Sequence, residues 1–296
     1  TRGKKPLHVD PEDDELPPQP QTKNVTYAPV TGAADRALRR MGVDQCGAIR
    51  YNYKCEGGHY DQYFEEVGAK VESIYAKAGE QTTEKRKVLF TGNSHTRELA
   101  EAYLCQRHKL VDSWRVLGRD GCLEDMPYST PVIDLPSAPS YRDDLSHATL
   151  RGGGSVYMAN NHVWTFMGRQ GLTEIFRFLG VDVRQLDAIV IGIFNPASWA
   201  DLRLRGGRVC ESYRSPGDST FTTWDTADFA NVLQDMGFSG ELILTGMFTG
   251  SQARLGGDLS RYNFSVRSLW PVPHGAESAK GHVCLPGLPD LVIADL

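Results

Sequence analysis

The sequence predicts an α/β fold, a three-layer α/β/α arrangement around a mainly parallel central sheet, on three observations. Short apolar segments alternate along the chain with segments of helical periodicity, the pattern of a sheet joined by crossover helices. Residues 186–194, LDAIVIGIF, form a continuous apolar run of the kind buried on both faces of such a sheet. Residues 87–105, KVLFTGNSHTRELAEAYLC, pass from a β-branched and aromatic run to a helical pattern across Gly92, Asn93 and Ser94.

Taken in order, residues 1–35 are Pro-rich, charged and poor in large apolar side chains, which predicts a solvated tail. Residues 36–84 read as a helical extension packed on the main domain, and residues 85–296 as the domain itself. Within the extension, Tyr60, Tyr63, Phe64, Val67, Val71, Ile74 and Tyr75 recur at helical spacing, so residues 60–77 form an amphipathic helix. Residues 87–91 are a buried strand. The helix from Thr96 turns Leu99, Tyr103 and Leu104 inward and leaves Arg97, Glu98, Glu101 and Gln106 to water. A second strand covers residues 114–117, and residues 119–150, with prolines at 127, 131, 136 and 139, form a long loop over one side of a cleft. Gly152, Gly153 and Gly154 are a flexible turn, since no lysine, serine or helix start follows as a phosphate loop requires. Further strands fall at residues 155–158, 186–194 and 242–247, and further helices at 172–179 and 223–236, each followed by a glycine.

Composition narrows the class. At 296 residues and 40% hydrophobic content the chain can bury one large core plus an extension. A net charge of −5 gives no basis for a nucleic-acid partner. No apolar run is long enough for a transmembrane span, and the chain opens at Thr1 without a signal-like segment, as a trimmed product would. The six cysteines, Cys46, Cys55, Cys105, Cys122, Cys210 and Cys284, have no metal-type spacing. Their even number, with sequons that make Asn24 and Asn263 candidate glycosylation sites, points to an oxidising compartment: the secretory lumen, such as the Golgi, or the extracellular space. Cys46 with Cys55 is the shortest local pairing; connectivity is otherwise open. His95, His162 and His274 lack ligand spacing, so no metal and no cofactor is expected.

Chemistry enters at the strand ends. Ligands of open α/β sheets bind beyond the carboxyl ends of the strands, and both Ser94 and Asn195 fall just after predicted strands. A helix beginning beside Ser94 offers unpaired backbone N–H groups and the positive end of its dipole. For an isolated Gly-Asn-Ser the plainer reading is a turn with a helix cap. For Asn195 it is an Asx turn before Pro196.

Two separated stretches sharpen this. Gly92-Asn93-Ser94-His95-Thr96-Arg97, with Cys105 further along the helix, and His282-Val283-Cys284-Leu285-Pro286-Gly287-Leu288-Pro289-Asp290 together resemble the PC-esterase or trichome-birefringence-like branch of the SGNH/GDSL superfamily. Phe194-Asn195-Pro196-Ala197-Ser198-Trp199 resembles that family's strand-end asparagine segment. The resemblance spans residues 85–296 and implies an SGNH-hydrolase-like fold and polysaccharide O-acetyltransferase or acyl esterase activity. It implies Ser94 as nucleophile, His282 as base and Asn195 as an oxyanion donor; Asn93, Arg97 and Trp199 are further candidates at the substrate, with Arg97 matching the motif arginine that holds the first turn and Trp199 open between a sugar cleft and core packing. The expected partners are a polysaccharide or glycoprotein glycan and an acetyl donor.

Two positions depart from the family pattern. Asn93 stands for the acidic residue of its first motif, and Ala279 for the aspartate that orients the histidine. Glu277 replaces that aspartate only if the loop before His282 folds differently. Two readings therefore stand: a serine-dependent enzyme, and a pseudoenzyme keeping the fold as a glycan-binding or structural subunit of a larger assembly.

Overall fold

In the computed structural model, which describes residues 41, 58–92, 94–117, 123–125, 145–160, 173, 176, 179–192, 226–245, 259–269 and 287–296, eight strands form one sheet. In chain order they are β1 (Lys87–Gly92), β2 (Val111–Leu117), β3 (Leu123–Asp125), β4 (Leu145–Leu150), β5 (Gly154–Asn160), β6 (Ala188–Gly192), β7 (Glu241–Thr245) and β8 (Ser265–Ser268). The helices are α1 (Gly58–Gly79), α2 (Ser94–Gln106), α3 (Thr226–Asp235) and α4 (Leu288–Val292). The strand order is β3-β2-β4-β5-β1-β6-β7-β8. The fold is thus α/β, and its sheet is mixed.

Strands β5, β1, β6, β7 and β8 run parallel, while β5, β4, β2 and β3 pair antiparallel in turn. The antiparallel half corrects the prediction of a long loop over residues 119–150, because β3 and β4 lie inside it. A hairpin makes β4 antiparallel to β5: residues 151–153 form its turn, with Gly152 and Gly153 at φ of 104° and 93°. The turn predicted at the three glycines is therefore the link between two paired strands.

Side chains alternate between two apolar clusters, as a pleated strand requires. From β1, Val88 and Phe90 join Leu99 and Tyr103 of α2, Trp114 of β2 and Ile293 beyond α4. Leu89 points the other way, with Ile189 and Ile191 of β6, Leu233 of α3 and Leu242 of β7. All five residues of β6 are buried, consistent with a fully covered strand.

α2 is buried on all sides from Thr96 to Arg107. This overturns the water-facing assignment of Arg97, Glu98, Glu101 and Gln106, which are only 3%, 0%, 3% and 4% exposed. The reason is packing: α2 lies against β1, β5 and β6 and also against α1 and α4. α1 buries Phe64, Val71 and Tyr75 as predicted, and extends over Gly58–Gly79.

One polar contact ties α1, α2 and α4 together. Asp290 is fully buried, and its carboxylate accepts from Tyr75 Oη at 2.9 Å, Gln106 Nε2 at 3.3 Å and the Gly287 backbone N–H at 2.7 Å. Gln106 Nε2 also donates to the Asp290 carbonyl at 3.1 Å. Burial pushes the Asp290 carboxyl up to about 6 even though these donors favour its charged form. The aspartate of the Leu-Pro-Gly-Leu-Pro-Asp run thus fastens α4 to two other helices.

Candidate active site

The carboxyl ends of the central strands lie in one line. Gly92 of β1 is level with Asn160 of β5, and Gly192 of β6 with Thr245 of β7. Beyond the last ladder pair, Thr91 with Ile191, the ends of β1 and β6 approach closely. A methyl built at Gly92 would lie 2.8 Å from Gly192 N and 2.4 Å from Thr96 Oγ1, and one built at Gly192 would lie 2.1 Å from Thr96 Oγ1. Gly92 also has φ of 150°, a backbone state that a side chain strains.

Two more threonines fasten this edge. Thr91 Oγ1 donates to the Ala159 carbonyl at 3.0 Å, linking β1 to β5. Thr245 Oγ1 donates to the Ile191 carbonyl at 3.2 Å, linking β7 to β6. Both are buried, and each fastens one pair of adjacent parallel strand tips.

Ser94 is the first residue of α2, which starts two residues before the predicted Thr96 and two residues after the end of β1 at Gly92. The nucleophile candidate is thus part of the first helical turn. Arg97 and Glu101 form an ion pair in this helix, Nε to Oε1 at 3.2 Å, with both side chains buried. Arg97 therefore lies in the packing of α2. Cys105 is buried as a thiol near the end of the helix. Asn263 is exposed, as a glycan acceptor must be, and its backbone N–H donates to Gln234 Oε1 at 2.8 Å.

The other predicted site residues, Asn93, Asn195, Trp199, Glu277 and His282, and the sequon at Asn24, lie outside the described residues. Several residues at this edge were not flagged by sequence reasoning. Thr96, Glu98 and Glu101 are buried within two turns of Ser94, and Gly192 is the glycine that admits Thr96. Glycine at both strand ends, 92 and 192, was the available signal for that contact.

Among the described residues no group of His, Cys, Asp or Glu is placed to hold a metal ion, and no helix is long and apolar enough to cross a membrane. Compared with family models, with curated proteins and with solved structures, the chain has no match.

Proposed function

We propose that the chain is a serine-dependent O-acyl esterase or acetyltransferase acting on a glycan, built as a three-layer SGNH-type domain. The observation that carries the reading is the position of Ser94, which opens the 13-residue helix α2 directly beyond the carboxyl end of β1. Helices against both sheet faces, α2 with α4 on one and α3 on the other, support the layered arrangement.

In the proposed mechanism Ser94 Oγ attacks the acyl carbonyl carbon while His282 accepts its proton. The carbonyl oxygen becomes an oxyanion, which backbone N–H groups at the start of α2 and the Asn195 amide stabilise; one such donor contributes about 3 kcal/mol. Collapse of the adduct breaks the ester bond and leaves an acyl-serine, and the leaving oxygen takes the proton from His282. Water or an acceptor sugar hydroxyl then takes the acyl group by the reverse sequence.

Chain lengths are compatible with this assembly. Asn195 follows Gly192 by three residues, a reach of about 10 Å. His282 precedes Gly287 by five residues, a reach of about 17 Å. Gly287 is held through Asp290 at the Gln106 end of α2, and α2 rises about 18 Å from Ser94 to Gln106. The reading therefore requires the strand of chain leading to α4 to run extended alongside α2. Secretory or extracellular localisation, with a glycan acceptor and an acetyl donor as partners, belongs to the same proposal.

Asn93 and Ala279 favour the second reading, the pseudoenzyme. Without a carboxylate to orient His282, a serine–histidine pair loses about 10³- to 10⁴-fold in rate. A fluorophosphonate probe separates the two. The enzyme reading expects covalent labelling of the wild type and none of Ser94→Ala; a folded wild type that stays unlabelled supports the pseudoenzyme.

A further inference from the structure

We propose that Thr96 is a positioning residue: it sets the spacing between the Ser94 turn and the exit of β6, and Gly92 and Gly192 lack side chains in order to admit it. The kinetic consequence rests on the acyl-transfer reading above. The structural consequence rests on packing alone.

Thr96 is 1% exposed and lies two residues after Ser94 on the same helical turn. Its Oγ1 occupies the volume where a methyl at either glycine would sit, 2.4 Å from one position and 2.1 Å from the other. One side chain from α2 is thus wedged against the ends of both β1 and β6. Thr91 fastens β1 to β5, and Thr245 fastens β7 to β6, so neither spans the seam between β1 and β6. Thr96 does span it, beyond the final ladder pair. In the acyl-transfer reading the two chemical groups follow the strands on either side of this seam, Ser94 two residues after β1 and Asn195 three residues after β6. On that reading, a change in the wedge alters the spacing of the two chain exits that lead to the nucleophile and the oxyanion donor.

The wedge makes a reciprocal prediction for Gly192. Once the Thr96 hydroxyl is removed, the nearest atoms to a methyl at position 192 are Thr245 Oγ1 at 3.2 Å and Thr96 Cβ at 3.4 Å, distances a small shift accommodates. Gly92 has no such rescue, because the Gly192 backbone nitrogen lies 2.8 Å from its methyl position.

The test uses the full chain with four variants, Thr96→Ser, Thr96→Ala, Gly192→Ala and the Gly192→Ala/Thr96→Ala pair. Three quantities are read: fluorophosphonate labelling rate at Ser94, melting temperature, and amide hydrogen exchange in peptides covering residues 92–98 and 190–196. Thr96→Ala is expected to label about 10²-fold more slowly, as displacements near 1 Å do to aligned groups, and to exchange faster in those two peptides only. Thr96→Ser is expected to restore both. Gly192→Ala is expected to melt well below wild type, and the paired variant to recover melting temperature but not labelling rate. Where Thr96→Ala does not fold, the Gly192→Ala/Thr96→Ala pair, in which the new methyl fills the space that the hydroxyl leaves, takes its place in the labelling and exchange measurements.

The proposal is overturned if Thr96→Ala labels and exchanges as wild type, or if Gly192→Ala alone is as stable as wild type. A wild type that never reacts with the probe sinks the acyl-transfer reading instead. The exchange pattern and the Gly192 rescue then still decide whether Thr96 positions the two strand ends.

Discussion

Arg97 and Glu101 stand one turn apart in α2, each 3% exposed, with Nε and Oε1 3.2 Å apart. Removing two charges from water costs several kcal/mol per ion, and mutual attraction offsets this only while both partners remain. Glu101→Gln is therefore expected to lower stability by about 1–3 kcal/mol in urea unfolding, because the buried Arg97 guanidinium loses one charged partner. A single-variant loss below about 1 kcal/mol would mean that other groups neutralise Arg97. The sequence predicts these residues at the surface because polarity at helical spacing ordinarily marks the wet face. Here α1 and α4 also pack on α2, with Gln106 against Asp290 of α4, and nothing local to residues 94–106 encodes their approach.

Among the elements, those with strongly apolar patterns were legible. β1, β6 and β7 are continuous apolar runs, and the switch of period at Gly92 placed Ser94 at a strand-to-helix junction, although the helix begins at Ser94 itself. β4 was not legible, because its buried face carries the small residues Ser146 and Ala148 while His147 and Thr149 take the other face. Alternation that faint disappears behind four upstream prolines. The Thr96 contact was hidden for another reason: it joins glycines a hundred positions apart, and only the adjacency of β1 and β6 reveals it. α4, at five residues, is held less by its own propensity than by Asp290. Tyr75→Phe removes one of the donors to that buried carboxylate and is expected to cost about 1–3 kcal/mol. It should also raise the Asp290 pKa further, because the Tyr75 hydroxyl favours the charged form. Urea unfolding checks the first effect and carboxyl titration by NMR the second; an unchanged titration would show that Tyr75 does not stabilise the carboxylate.

For the molecule as a whole, two buried groups drive stability in opposite directions with pH. Burial raises Asp290 from 3.8 to about 6, so the folded state holds that proton more tightly and stability falls as pH rises through this interval. Burial, aided by the Arg115 charge, lowers His147 from 6.5 to about 4, so the unfolded state binds that proton more tightly and stability rises with pH over 4 to 6.5. His147 is stacked on Tyr157 with ring centroids 4.4 Å apart, which keeps the neutral ring in place. Each contribution is on the order of 3 kcal/mol, so the two nearly cancel between pH 4 and 6. His147→Phe is expected to make stability fall with rising pH across that range, and Asp290→Asn to make it rise. Urea midpoints at pH 4.5 and 6.5 check both slopes, and parallel profiles for the two variants would refute the opposition. The strand order has a further consequence during synthesis. Val88 pairs with Val156 on one side and with Ala188 on the other, the latter 188 − 88 = 100 positions downstream. At about 5–20 residues per second a ribosome needs roughly 5–20 s to supply that second neighbour. Throughout that interval the flank of β1 that β6 will cover keeps its backbone N–H and C=O groups unpaired, an opening for chaperones or for clumping with other polypeptides on the same message.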